Sequence, residues 1–226
     1  MNFNDIMKKV QNNEILNKEE LIYLLSFEAD SRESYIVMAE GRKISKKLTN
    51  NKAEIHGQFA FNIAPCPKEC KFCSFAYSNK IFHKAQNITI EKAVHYAKKM
   101  EDDGVNSVLL MATANASMSL FLETVQEVKK HLKEDTQLIA NVGDQSYENA
   151  KKMKDAGLIG VFHGVRFREG IDTDIAPQTR IESIRNFQEA GLIVGTCVEP
   201  VGPEHTNEEI AEKIIFAGSF NPAYSG

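Results

Sequence analysis

From Gln58 onward the chain alternates short apolar runs with amphipathic helical stretches, and this alternation constrains its fold more than any other feature. Strands are predicted over residues 59–63, 105–111, 137–142, 158–163 and 192–198. Helices are predicted near 90–102, 118–132, 146–156 and 179–190, with another starting at about Asn207. Asp103-Gly104-Val105, Ala156-Gly157-Leu158 and Ala190-Gly191-Leu192 each set a glycine between a helix and an apolar strand. Glycine there adopts the left-handed conformation that ends a helix at little cost. Thr89-Ile90-Glu91 and Thr206-Asn207-Glu208-Glu209 put a cap residue ahead of acidic first-turn residues. Strand and helix alternate five times with no hairpin dipeptide, which predicts parallel strands joined by crossover helices. The fold class is therefore α/β, with a sheet either curled into a (β/α) barrel or open and doubly wound. No Gly-x-Gly-x-x-Gly follows the first strand, which disfavours an open dinucleotide-binding sheet. In a barrel, working residues come from the C-terminal ends of strands.

Ahead of the alternation, residues 5–50 read as polar-amphipathic helix. Leu21, Leu24 and Leu25 share one face, and Ile36, Met38 and Ala39 another, with Ile44 and Leu48 further along. Residues 1–55 are thus expected to form an N-terminal helical extension and 56–226 a barrel core. The chain's 226 residues are 42% hydrophobic and 26% charged, as in ordinary globular proteins. With 27 basic and 31 acidic residues the net charge is -4, against a dedicated nucleic-acid binder. No apolar run approaches the roughly 18 residues of a membrane span, and no basic flank with an apolar run marks a secretory signal at the N-terminus. Neither a nucleic-acid nor a membrane partner is expected.

Of four cysteines, Cys66, Cys70 and Cys73 fall within one short segment and Cys197 lies far away. A disulfide scaffold would be small and cysteine-dense, which this chain is not. The segment reads Ala64-Pro65-Cys66-Pro67-Lys68-Glu69-Cys70-Lys71-Phe72-Cys73, directly after the first predicted strand. Three thiolates this close can converge on one metal centre, and thiolates select zinc or iron–sulfur iron. A structural zinc site takes four ligands, and the next histidine, His83, is well past Cys73. A [4Fe–4S] cluster on three cysteines instead leaves one iron open to a small molecule. Three incidentally buried cysteines are the remaining reading.

Cys-x3-Cys-x2-Cys after the first strand, with Phe72 just before the last cysteine, resembles the radical S-adenosylmethionine (radical SAM) superfamily. Within it, the chain is most similar to biotin synthase and its relatives, which include hydrogenase-maturation and methylornithine enzymes. The resemblance runs from about Leu21 to the last residue and includes Ala156-Gly157-Leu158, His163 and Gln178-Thr179-Arg180-Ile181. It implies a partial parallel (β/α) barrel with a helical lead-in, and a [4Fe–4S] cluster on Cys66, Cys70 and Cys73. It also implies S-adenosylmethionine bound at the open iron and cleaved reductively to a 5′-deoxyadenosyl radical. That radical would abstract hydrogen from a small-molecule or carrier-bound acyl substrate, with electrons from a low-potential flavodoxin- or ferredoxin-type donor.

On the same resemblance, Phe72 packs beside the adenine, although plain core packing also fits an aromatic side chain. Arg180 stands where an arginine pairs with the S-adenosylmethionine carboxylate, which suits a planar guanidinium. Its bland reading is a solvated helix arginine. Met111, Ala112 and Thr113 end the second strand, where relatives contact the S-adenosylmethionine amino group through backbone carbonyls. Val201 lies in a segment resembling an adenine-contacting stretch. Glu199 is expected among apolar strand residues at the barrel mouth, where it needs a partner such as Arg166 or a ligand amine. Arg166 and Arg168 alternate with Val165 and Phe167, which predicts both on one side; a loop ion pair of Arg168 with Glu169 is the alternative. Asn141 and Asp144 are candidates for polar contacts with substrate or ribose.

The chain also departs from biotin synthase. Phe162, Gly164 and Arg166 stand where that enzyme has an Asn-x-Asn-x-Asp pattern. The second and third strands lack the cysteines that hold its sulfur-donating [2Fe–2S] cluster, and Cys197 alone cannot replace them. Cys197 reads as core. Two chemistries stay open: sulfur insertion, as in biotin or lipoyl formation, with a partner protein donating sulfur, and rearrangement or fragmentation like that of the maturase and methylornithine enzymes. From a different class, the chain would be a non-catalytic metal-binding subunit of a split complex, completed by a barrel-closing partner. An oxygen-sensitive cluster that needs low-potential electrons points to the cytoplasm. Five strands and helices are used by about Ala217, leaving room only to begin a sixth strand. A core truncated at its C-terminus, lacking the far wall of the substrate pocket, is therefore expected.

Overall fold

A computed structural model describes residues 1–226, which form two compact units. One comprises Met1–Ala53 with Val201–Ser219, and the other Glu54–Pro200 with Phe220–Gly226. No helix in either is long and apolar enough to cross a membrane.

The first unit is helical. It contains α1 (Phe3–Gln11), α2 (Lys18–Leu25), α3 (Arg32–Leu48) and, late in the chain, α8 (Asn207–Gly218). Asn17 and Glu20 form a reciprocal capping box at the start of α2, as Thr206 and Glu209 do for α8. Each box satisfies two backbone donors that a helix start otherwise leaves orphaned. α2 packs on α8, and Lys18 Nζ meets Glu212 Oε1 at 2.5 Å between them.

The second unit is built on a seven-stranded sheet ordered β2-β1-β3-β4-β5-β6-β7. Its strands are β1 (His56–Ile63), β2 (Gln86–Asn87), β3 (Ser107–Ala112), β4 (Gln137–Asn141), β5 (Gly160–Phe162), β6 (Ile193–Thr196) and β7 (Tyr224–Ser225). The crossover helices are α4 (Ile90–Asp102), α5 (Met118–His131), α6 (Tyr147–Asp155) and α7 (Pro177–Glu189). All pairings from β1 through β3 to β7 are parallel, in registers such as Leu109↔Ile139 and Val161↔Val194. β3 is buried apart from Met111, the pattern of a strand covered on both faces. Phe61, Phe121 and Phe187 anchor the core at 2% exposure or less. Burying each such ring is worth about 1.5–3 kcal/mol relative to leaving it in water.

The sheet curls. β1 and β7 lie far apart in strand order, yet the rings of His56 and Tyr224 meet edge-on at 6.1 Å. Phe162 of β5 stacks on Tyr224 at 6.3 Å. A flat sheet could not bring first, middle and last strands to one ring, so this is the expected partial (β/α) barrel. Gly104, Gly157 and Gly191 have φ of +92°, +108° and +78°, as helix-ending glycines require.

Two details differ from the sequence-based expectation. β2 runs antiparallel at the sheet edge, with Asn62↔Asn87 and Ile63↔Gln86 paired. The long loop after β1 contains no crossover helix, so it returns the chain beside the strand it left. β5 is also shorter than predicted: the backbone leaves the sheet after Phe162 and runs irregularly to α7.

Candidate active site

The loop from Ala64 to Ala85 starts at the C-terminal end of β1 and is held there by a polar relay. Thr113, just past β3, donates its hydroxyl to Asn62 Oδ1 at 2.7 Å and accepts from the Ala64 amide at 3.2 Å. The loop then closes on itself: Cys66 N donates to Phe75 O (2.7 Å), Tyr77 N to Cys66 O (3.1 Å) and Cys73 N to Cys70 O (2.9 Å). Asn79 Nδ2 donates to Cys73 O at 2.7 Å. The loop is thus tied by its own backbone, and its three cysteines are each partly exposed.

Cys66, Cys70 and Cys73 all line one cavity of about 220 Å³ at the strand ends. Burial pushes the Cys70 thiol up to about 11, opposed by Arg166 and reinforced by Cys73. That thiol stays protonated at neutral pH until a metal displaces its proton. No three His, Cys, Asp or Glu side chains converge closely enough to hold a single metal ion. A lone zinc needs its ligands gathered around one point, whereas cluster thiolates bond separate irons. Three cysteines on one cavity are the thiolate donor type that iron–sulfur clusters take, so the residues present fit such a cluster.

The rest of the cavity wall is assembled from four segments. Met111 and Ala112 at the end of β3 and Thr113 just past it line the cavity, as do Asn141 at the end of β4 and His163 and Arg166 after β5. Arg180, in the first turns of α7, completes it; at 6% exposure it is a buried residue and not a solvated helix arginine. Its Nη1 lies 3.2 Å from Asp144 Oδ1 and 3.3 Å from His163 Nε2. Its Nε sits 3.6 Å from Glu169 Oε2 and has no hydrogen-bond partner. Glu169 in turn accepts from Arg166 N at 2.9 Å and Thr173 Oγ1 at 2.7 Å.

This network has a definite charge state. Burial holds His163 below the usual imidazole range, Asp144 opposing and Arg180 and Arg166 adding, so His163 is neutral at pH 7. Burial alone would raise Asp144, but its hydrogen bond with His163 and the charge of Arg180 outweigh that and keep it ionised. Two carboxylates flank one buried guanidinium.

The other expected site residues fall as follows. Phe72 lines the cavity at 42% exposure, so it is not plain core packing. Arg166 Nε lies 3.6 Å from Glu199 Oε1, but the Glu199 side chain is 44% exposed and not buried among strand residues. Arg168 does not share a side with Arg166. The alternation argument fails because β5 has already ended and Arg168 adopts φ 50° in a turn. Its guanidinium pairs with Asp172 at 2.9 Å rather than with Glu169, and it does not line the cavity. Val201 belongs to the helical unit and is exposed. Cys197 is buried, as expected for a core cysteine.

Sequence reasoning gave no weight to Glu169 as a partner of Arg180, or to His163 and Asp144 as a pair. The signal available was their position after predicted strand ends. A strap was also not foreseen: Asp172 Oδ1 meets Lys71 Nζ at 2.8 Å, Lys71 N donates to Asp172 O at 2.9 Å, and Asp174 N donates to Lys68 O at 2.8 Å. It ties the thiol loop to the segment carrying Glu169.

The profile of the Radical SAM superfamily matches residues 64–217, which include the thiol loop, Arg180 and most of α8. The chain belongs to the radical SAM superfamily. Radical SAM proteins are enzymes whose cofactors are a [4Fe–4S] cluster and S-adenosylmethionine. Among curated relatives, biotin synthase of Clostridioides difficile (strain 630) is 24% identical over 219 residues, covering 93% of this chain and 67% of that protein. Biotin synthase of Clostridium tetani is 25% identical over 197 residues, covering 84% and 60%. Among solved structures, methylornithine synthase superposes with a TM-score of 0.80 at 18% identity, covering 97% of this chain and 66% of that one. The FeFe-hydrogenase maturase HydG from Carboxydothermus hydrogenoformans gives 0.78 at 16% identity, covering 96% and 52%. These likenesses establish the radical SAM barrel fold. The chain spans about half to two thirds of the length of these relatives.

Proposed function

We propose that this chain carries the cluster and S-adenosylmethionine sites of a radical SAM enzyme acting by hydrogen abstraction on a small-molecule or carrier-bound substrate. The observation that supports this most is that three cysteines and a buried arginine line one cavity at the strand ends. When bound, the reduced cluster and S-adenosylmethionine supply the one electron and the sulfonium whose C–S cleavage yields a hydrogen-abstracting carbon radical.

The chain's own residues then have distinct tasks. Cys66, Cys70 and Cys73 would hold the cluster, and the Thr113 relay keeps their loop seated on β1. Arg180 and Arg166, which both line the cavity, present cationic donors to the methionine carboxylate. Neutral His163 and ionised Asp144 fix the Arg180 fork, so little freedom is lost when a carboxylate arrives. Backbone carbonyls of Met111, Ala112 and Thr113 accept from the amino group. Phe72 offers an aromatic face to the adenine. Glu199 steers Arg166, and Arg168 braces the loop through Asp172.

Sulfur insertion is the finer question. The chain offers no cysteine at the ends of β3 and β4, and Cys197 is buried, so sulfur insertion would need a donor outside these strands, such as a partner protein. Rearrangement or fragmentation needs no such donor. A low-potential flavodoxin- or ferredoxin-type protein and a cytoplasmic setting complete the proposal.

Anaerobic reconstitution with iron and sulfide, followed by dithionite and S-adenosylmethionine, tests it. Release of 5′-deoxyadenosine is expected. Full iron loading without release would remove the enzymatic reading and leave a non-catalytic metal-binding subunit.

A further inference from the structure

The cavity is unbalanced in charge. Lys68, Arg166 and Arg180 line it, and no aspartate or glutamate does. Arg180 is answered from behind by Asp144 and Glu169, and Arg166 has Glu199 at 3.6 Å. Lys71, on the same loop, is answered by Asp172. Lys68 has no counterpart: its Nζ makes no hydrogen bond or ion pair. Its charge reaches Asp144 only as the weakest of the influences on that carboxyl. Its backbone is nevertheless fixed, because Lys68 O accepts from Asp174 N at 2.8 Å, so the ammonium projects from an anchored point on the thiol loop.

We propose that the cavity takes a substrate bearing an anionic group of its own, a carboxylate or a phosphate, and that Lys68 receives that group. The inference rests on the radical SAM reading, in which Arg180 and Arg166 serve the methionine carboxylate and Lys68 is the cation left over. A lysine ammonium is a compact point charge with three donors, suited to either anion without bidentate geometry. The competing role for the same charge is offsetting the negative charge of a thiolate-bound cluster. The two roles separate by experiment.

The probes are inorganic phosphate, butyrate and neutral butyramide, titrated by calorimetry at fixed ionic strength into the reconstituted protein with and without S-adenosylmethionine. At least one anion is expected to bind and butyramide is not; the tighter anion names the substrate's group. Lys68→Met is expected to weaken that anion about tenfold, the loss of one charge-assisted hydrogen bond, whereas Lys68→Arg retains it. Lys68→Gln repeats the comparison if the methionine variant does not load its cluster. The proposal is overturned if neither anion binds, if butyramide binds as butyrate does, or if neutral variants bind as well as the parent. It is also overturned if Lys68→Met shifts the cluster's reduction potential while anion affinity stays unchanged. A parent protein whose cluster spectrum ignores S-adenosylmethionine would defeat the enzymatic reading instead, and the anion titration without it would still report on Lys68.

Discussion

The two walls of the cavity are built on opposite physical plans. The thiol wall is one continuous loop, tied mainly by its own backbone hydrogen bonds and half open to solvent. The facing wall draws Asp144, His163, Glu169 and Arg180 from separate segments into a buried network in which a guanidinium lies between two carboxylates. The first plan leaves ligands able to adjust to a metal centre. The second fixes a cation before any ligand arrives. A site that must both accept an inorganic cluster and orient an organic cofactor is served by keeping these demands on different walls.

The largest expected effect breaks the first wall. Replacing any one of Cys66, Cys70 or Cys73 by alanine should abolish cluster retention, read as loss of bound iron after anaerobic desalting. Loading equal to the parent in all three variants would remove the thiol assignment.

Next comes the second wall. Arg180→Met strands two carboxylates in a buried site, and breaking such a network by removing one partner typically costs about 3–5 kcal/mol. Denaturant unfolding should show that loss, whereas substitution of the half-exposed Arg168 should cost roughly 1 kcal/mol or less.

The same wall should respond to acid. His163 is held below its unfolded value, near 6.5, so below that pH the unfolded chain binds a proton that the folded chain refuses. Its contribution is complete above about pH 6.5 and is lost as pH falls. Asp144, also lowered, adds a loss at more acid pH, as its folded-state carboxyl protonates. Unfolding midpoints measured between pH 7.5 and 5 should fall for the parent and fall less for His163→Gln.

The smallest effect concerns the strap between the walls. Asp172→Asn weakens pairs with Lys71 and Arg168 that are partly exposed, so stability should change by about 1 kcal/mol or less. Cluster loss on standing should nonetheless quicken, because the thiol loop loses its side-chain tie to the segment carrying Glu169 and keeps only the backbone ones. An unchanged rate would show that the walls act independently.

Local signals carried most of the fold. Ile90–Asp102 coincides with the predicted helix, and Gly104, Gly157 and Gly191 all take the left-handed conformation their positions called for. β2 escaped because two residues make no period. The Cys-x3-Cys-x2-Cys spacing was equally legible, since its ligands are neighbours in sequence. The facing wall was legible only in part: Arg180 was singled out by resemblance, but its partners lie 36, 17 and 11 residues away, and no spacing rule reports that. Arg168 was misplaced because strand alternation was applied past the end of β5. Glu199 was expected buried because its neighbours are apolar, yet its own side chain faces partly outward.

The most direct test of the account is the spectrum of the anaerobically reconstituted, reduced protein before and after S-adenosylmethionine is added. About four irons per chain and a paramagnetic cluster signal that changes on addition are the expected result. Tightly bound zinc in place of iron, or a cluster signal indifferent to S-adenosylmethionine, would contradict it.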